Sequence, residues 1–236
     1  MSVDGAGVSE TKVSGWRQTI DMRNAEHITE FIACGKVSVR YGVTALRNLP
    51  YAMMMEVEIK ALEDVNVVFC NSFSLPEEYK TARIQRRNFL ADGHYIDLLR
   101  ADAQTCKGRY NVSASVMFIQ DGGFSKTTEE HADMLSSSMK AGDVRKFTLV
   151  ASECSTKDFS DPYSETERQL VYIERETVGR VKNAHRKLWD ELWQGDIEIE
   201  GDMEAQHAVR LALFNLYGFC RENSRLSISP MGLSSQ

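Results

Sequence analysis

None of the five cysteines, Cys34, Cys70, Cys106, Cys154 and Cys220, stands in a CxxC pair, and an odd number cannot all pair within one chain. That argues against a disulfide framework, and the expectation is free, buried thiols in a reducing compartment. No apolar run reaches the roughly 18 residues that span a bilayer, and the opening MSVDGAGVSETKVSG has no apolar stretch of the signal-peptide kind. A cytoplasmic protein without a membrane segment is expected. Positive charge is also short: 28 Lys+Arg against 34 Asp+Glu leave a net charge of −6, so no footprint for nucleic acid or anionic lipid is present. GxGxxG and GxxxxGK[ST] are absent, which removes the usual phosphate cradles, and GxSxG is absent, which removes the nucleophile elbow. His27, His94, His131, His185 and His207 form no HExxH pair and lie near no cysteine, so a zinc site has no support.

The chain instead has 42% apolar and 26% charged side chains over 236 residues, the composition of a globular protein. Up to about residue 152 the dominant period is two. Val37, Val39, Tyr41, Val43 and Ala45 share one face against Lys36, Ser38, Arg40 and Thr44, which is strand alternation. Met53, Met55, Val57 and Ile59 alternate with Glu56, Glu58 and Lys60, and Tyr110, Val112, Ala114, Val116 and Phe118 with Asn111, Ser113 and Ser115. Weaker runs lie at 16–22, 26–33, 65–70, 95–99 and 145–152, with turn chemistry such as Asn48-Leu49-Pro50 and Lys107-Gly108 between runs. About eight strands without long intervening helices predict an antiparallel sandwich.

At Asp161 the period changes. Asp161-Pro162 offers an N-cap acceptor followed by proline at the first helical position, and Glu165 and Glu167 suit the positive end of the helix dipole. Leu170, Ile173, Thr177, Val181, Ala184, Leu188 and Leu192 then recur every three or four residues, predicting one amphipathic helix to about Trp193, a rod of about 50 Å. A second helix is expected from near Asp202 to near Arg221. Val209, Leu213, Leu216, Tyr217 and Cys220 occupy one face, while Leu211, Ala212, Phe214 and Phe219 fill much of the rest. Such a helix wants burial nearly all round, and the chain offers little to bury it against.

Three local patterns have simple readings. The run from Asp196 through Glu198, Glu200 and Asp202 resembles a calcium loop, with Gly201 at position six, but His207 stands where the bidentate Glu is needed. A short solvated strand leading into an acidic helix start is the expectation. Asn111-Val112-Ser113 is a formal glycosylation sequon inside the clearest strand, and is read as structural. Trp189 and Trp193, four apart on the long helix, suit the anchoring of that helix to its neighbours better than the stacking of a sugar.

At the carboxyl end these residues form a specific pattern: His185-Arg186-Lys187-Leu188-Trp189-Asp190-Glu191-Leu192-Trp193, then the run Asp196 to Asp202. Gln206, Arg210 and Leu213-Phe214-Asn215-Leu216 follow, and then Ser227-Ile228-Ser229-Pro230-Met231-Gly232-Leu233-Ser234-Ser235. Together with Gln18-Thr19-Ile20-Asp21-Met22-Arg23 and Gly108-Arg109-Tyr110, this resembles glycoside hydrolase family 65, which includes maltose, trehalose and kojibiose phosphorylases and some disaccharide hydrolases. The resemblance implies a mainly β, antiparallel super-sandwich, then a long linker helix and the first helix of an (α/α)6 barrel. It implies a sandwich domain over 1–155, its opening lying before this chain, a helical linker over 156–195 and the start of the barrel over 196–236.

The implied activity is cleavage of an α-linked glucosyl disaccharide, foremost by inverting phosphorolysis with inorganic phosphate as co-substrate and no cofactor. A homodimer is implied by resemblance only, and neither nucleic acid nor membrane is a partner. The general-acid Glu, the Trp-Asp pair that holds the sugar and the phosphate-binding residues are all expected beyond Gln236. No residue of this chain therefore receives a catalytic role, and the chain alone is expected to be inactive. The loop Ser229, Pro230, Met231, Gly232, Leu233 and Ser234 is the candidate rim of the donor-sugar pocket, while Asp202 and Arg210 are expected to position the second helix. The alternative expectation is a non-catalytic carbohydrate-binding or interaction module built on the sandwich.

Overall fold

A computed structural model describes residues 1–75, 77–91, 93–120 and 122–220. In chain order its strands are β1 (Ser2–Val3), β2 (Ala6–Gly7), β3 (Val13–Asp21), β4 (Glu26–Ala33), β5 (Val37–Ala45), β6 (Ala52–Ala61) and β7 (Val65–Ser72). They continue with β8 (Lys80–Ala91), β9 (His94–Gln104), β10 (Asn111–Gln120), β11 (Ser125–Thr128), β12 (Ala132–Met139) and β13 (Val144–Ser155). Helices α1 (Pro162–Glu176), α2 (Val178–Leu192) and α3 (Met203–Phe219) follow. The smaller sheet has the order β11-β12-β7-β1-β2 and the larger β3-β4-β5-β6-β13-β10-β9-β8. Every pairing is antiparallel, as the alternation predicts.

The larger sheet is covered on both faces, which explains where simple alternation misleads. Val37, Val39, Val57, Ile59 and Phe147 face the smaller sheet and pack with its Val67, Leu135 and Met139. Met54, Leu98, Met117 and Val150 face the other way and pack with Leu170 and Ile173 of α1 and Val181 of α2. The alternation placed Met53 on the buried side of β6; instead Met54 is fully buried and Met53 is exposed. At that end of the strand the helices, not the second sheet, supply the cover. The opening segment is part of the fold: β1 and β2 join the smaller sheet and Val3 enters the core.

Both edges of the larger sheet are interrupted. The ladder of β3 slips between Ser14 and Arg17, where Gly15 has φ +61°, and that of β8 slips between Lys80 and Arg83, where Thr81 has φ +49°. An inserted residue bends the strand and spoils its free hydrogen-bonding edge.

The single rod expected over 161–193 is two helices. Asp161 caps α1 as predicted, accepting from the amides of Tyr163 and Ser164 at 3.1 Å each. The helix then stops at Thr177, whose φ of +69° and ψ of 145° lie outside helical space. The apolar spacing stays in phase across the break, so neither element looks interrupted in the sequence. Instead of standing clear as a rod, α1 lies across β10 and β13. A polar seam joins them: Ser115 donates to Thr166 at 2.9 Å and Ser152 donates to Gln169 at 2.8 Å. Burial of Leu170, Ile173 and Val181 stabilises this layer by about 1.5–3 kcal/mol for each side chain.

A β-branched residue at positive φ costs about 1–3 kcal/mol, and Thr177 makes no side-chain cap bond in return. Thr177→Gly is therefore expected to raise stability by about 1 kcal/mol. The check is a urea midpoint that rises with an unchanged slope; a lower midpoint would show that the threonine is held by packing that outweighs its strain.

Among the described residues all five cysteines are free, but only Cys154 is buried, and its thiol pKa is pushed up to about 12 by that burial. Cys70, Cys106 and Cys220 are exposed, which corrects the expectation of buried thiols. Cys106 sits in the turn between β9 and β10 and Cys220 ends α3, where no second layer covers them.

Candidate functional site

The helices meet the sandwich at one end, where two turns reach toward them. The turn between β3 and β4 offers backbone carbonyls, and the turn between β5 and β6 offers Arg47 and Asn48. His185 on α2 is fully buried between them: its Nδ1 accepts from the Arg47 amide at 2.9 Å and its Nε2 lies 3.0 Å from the Asn24 carbonyl. An amide can only donate and a carbonyl can only accept, so the ring is the neutral Nε2–H tautomer with both nitrogens occupied. It cannot serve as base or metal ligand in that state.

One turn further along α2, Trp189 is buried and stacks on Phe214 of α3 with centroids 5.4 Å apart, while the Arg47 guanidinium lies 5.5 Å from its ring centre. The same guanidinium donates to the carbonyls of Tyr217 and Cys220 at 2.6 Å each, satisfying the otherwise open end of α3. Trp193, in the 3-10 turn Trp193–Gly195, donates its indole N–H to the Met22 carbonyl at 3.0 Å and meets Tyr217 edge-on. Both tryptophans thus anchor helices, as the sequence suggested.

The acidic run has a positioning role. Asp196 to Glu200 forms no strand, contrary to expectation; Gln206 of α3 holds the segment by accepting from the Ile199 amide and donating to the Ile197 carbonyl. Arg210 clamps Asp196 through two N–H groups at 2.9 and 2.6 Å, and Asp202 caps α3 by accepting from the Ala205 amide. Asp202 and Arg210 therefore do place the helix. Most of α3's apolar surface remains open, with Leu211 and Leu216 each about half exposed.

A second polar node fixes α2 to the sheet. Buried Glu26 accepts from Lys182 at 3.2 Å, and Lys182 also pairs with Glu56. A methyl group at Gly42 would stand 2.0 Å from the Glu26 carboxylate, so glycine leaves the room that the ion pair occupies. A cavity of about 460 Å³ opens at this elbow, yet its Glu56 and Glu58 are already tied to Lys182 and Lys146.

Asp4, Asp64, Asp161 and Asp196 are each held below the usual carboxylate range, the opposite of the raised pKa that suits a general acid. The chief causes are the Asn66 amide, Lys140, Ser164 and Arg210 respectively. No cluster of three metal-ligating side chains occurs among the described residues, and none of their helices is long and apolar enough to cross a membrane. The rim candidates Ser229, Pro230, Met231, Gly232, Leu233 and Ser234 lie outside the described residues. What sequence reasoning missed is the junction around Arg47, whose partners lie 138 to 173 residues away in the chain.

A two-sheet sandwich bearing helices on the outer face of its larger sheet is also found in a solved structure provisionally assigned as a kojibiose phosphorylase from the human microbiome. The TM-score is 0.63 at 12% identity, over 86% of this chain and 28% of that one. No family model matches the chain. A kojibiose hydrolase of Flavobacterium johnsoniae is 33% identical over 99% of this chain and 36% of its own length. A nigerose phosphorylase of Lachnoclostridium phytofermentans is 33% identical over 41% of this chain and 13% of its own length. The chain belongs to glycoside hydrolase family 65, as these relatives do. It spans about a third of the length of the curated relatives that match nearly all of it.

Proposed function

We propose that this chain is the sandwich-and-helix portion of an enzyme that cleaves an α-linked glucosyl disaccharide, and that it does no chemistry by itself. The carrying observation is the 33% identity to a kojibiose hydrolase along 99% of the chain. In either form of the reaction a carboxylic acid protonates the glycosidic oxygen while a nucleophile attacks the anomeric carbon from the opposite face. In this proposal those roles fall to residues that the chain does not supply. The division into sandwich (1–155), linker (156–195) and barrel start (196–236) belongs to the same proposal, supported by the open apolar surface of α3.

Water is the favoured nucleophile, because the match along the whole chain is to a hydrolase. Phosphate is the second reading, favoured by the shorter match to a nigerose phosphorylase. The test has two arms. This polypeptide, incubated with kojibiose, nigerose or maltose with and without phosphate, is expected to release neither glucose nor glucose 1-phosphate, and turnover would overturn the non-catalytic assignment. The product of the whole reading frame in which this sequence lies is then assayed in the same way. Glucose without phosphate supports hydrolysis, glucose 1-phosphate with phosphate supports phosphorolysis, and neither product overturns the disaccharide assignment.

A further inference from the structure

Between the β3–β4 hairpin and the helices lies an open cleft of about 450 Å³, lined by Arg23, Asp190, Trp193, Gln194, Asp196 and Arg210 among others. Its volume falls in the range of small-ligand pockets, which combine apolar wall with a few converging polar groups. The wall here is the Trp193 indole, fixed by its hydrogen bond to the Met22 carbonyl and by the edge of Tyr217, so the ring is held in place before any ligand arrives.

The charges around it are already balanced. Arg23 faces Asp190 at 3.3 Å, and Arg210 holds Asp196 at 2.6 Å. An anion would meet a carboxylate beside each guanidinium and a cation a guanidinium beside each carboxylate, so neither sign of charge is favoured. A neutral polyol suits such a surface: its hydroxyls can donate to the spare lone pairs of the two carboxylates and accept from the spare N–H groups of the arginines and of Gln194. A pyranose ring adds an apolar face of C–H groups, which suits a fixed indole.

From this arrangement we infer that the cleft is a binding site for a neutral glucosyl saccharide, contributed jointly by the sandwich turn, α2, the 3-10 turn and α3. The choice of glucosyl sugar rests on the proposed function. The cleft itself is no part of the reaction, so a chain that turns nothing over still binds, and the two tests fail independently. A bound sugar would tie the turn at Arg23 to the helix at Asp190 and so couple the sandwich to the helical layer.

The experiment is titration of this polypeptide with kojibiose and with glucose, followed by tryptophan fluorescence and calorimetry, with inorganic phosphate as the charged control. Saturable binding with a Kd on the order of millimolar is expected for the sugars. Arg23→Ala and Asp190→Ala alter exposed side chains. Each should weaken binding about tenfold, or about 1.4 kcal/mol, with an unchanged melting temperature. Trp193→Phe should keep the fold while removing the fluorescence response. Absence of saturable binding, sugar affinity unchanged in both alanine variants, or phosphate competing with the sugar would each overturn the assignment.

Discussion

Replacing Trp189 by alanine is expected to cost about 3–5 kcal/mol and to loosen α3 from the rest of the molecule. The buried indole carries the stack on Phe214 and the guanidinium of Arg47, which in turn holds the last carbonyls of α3. Trp189→Phe should behave differently. It keeps an aromatic plate and removes an indole N–H that is buried without a partner among the described residues, relieving a penalty of about 1–3 kcal/mol. That gain offsets most of the lost area, so the phenylalanine variant should stay within about 1 kcal/mol of the parent. Urea unfolding followed by circular dichroism measures both, and hydrogen exchange over 203–219 reports whether the helix has come away. An alanine variant whose α3 amides remain as protected as before would show that the stack is not what holds the helix.

Arg86→Ala is expected to be comparably damaging, at about 3–5 kcal/mol, because it leaves a fully buried carboxylate without its main partner. Arg86 on β8 pairs with Asp97 of β9 at 2.7 Å and crosses to Asp133 of β12 at 2.8 Å, and it also donates to the carbonyls of Glu129 and Ala132. Lys126 of β11 closes the node by pairing with Asp97 at 2.7 Å. Asp133 has no solvent exposure, so truncating the arginine leaves that carboxylate between the sheets with only Lys126 at 3.8 Å. The double variant Arg86→Met/Asp133→Asn should recover a large part of the loss, a non-additivity that marks the pair.

The same node contributes to the acid limit. Burial alone would raise the Asp97 pKa, but the hydrogen bonds from Lys126 and Arg86 outweigh it and hold the carboxyl below its usual range. A carboxyl lowered on folding contributes fully above its unfolded value near 4 and loses that contribution as pH falls through the lower folded value. Asp97→Asn should therefore flatten the acid limb of the stability–pH curve.

β5 and β6 were legible as strands because half of each apolar face, Val37 and Val39 in one and Val57 and Ile59 in the other, packs against the smaller sheet. β8 was not, since a strand written Lys-Thr-Ala-Arg-Ile-Gln-Arg-Arg has its energetics in ion pairs rather than in an apolar stripe. Met53 and Met54 could not be ordered because alternation gives two faces and does not say which one the helices will cover. The break at Thr177 was hidden for a related reason: no proline or glycine marks it, and Ile173, Thr177 and Val181 keep helical spacing across it. The tryptophan anchors and the Asp202 and Arg210 positions were readable from local spacing and from family resemblance. Arg47, His185 and Asn24 were not, because their meeting depends on turns brought together from opposite ends of the chain.

The slipped ladders at the two margins of the larger sheet bear on how copies of this chain behave when crowded. A regular outer strand is a template on which a neighbour can add its own strand, and repetition of that step builds fibres. Here both templates are kinked, one by a glycine and the other by a threonine in left-handed backbone. A slipped ladder makes each of those two margins a poorer template for lateral growth along the part of the strand it bends.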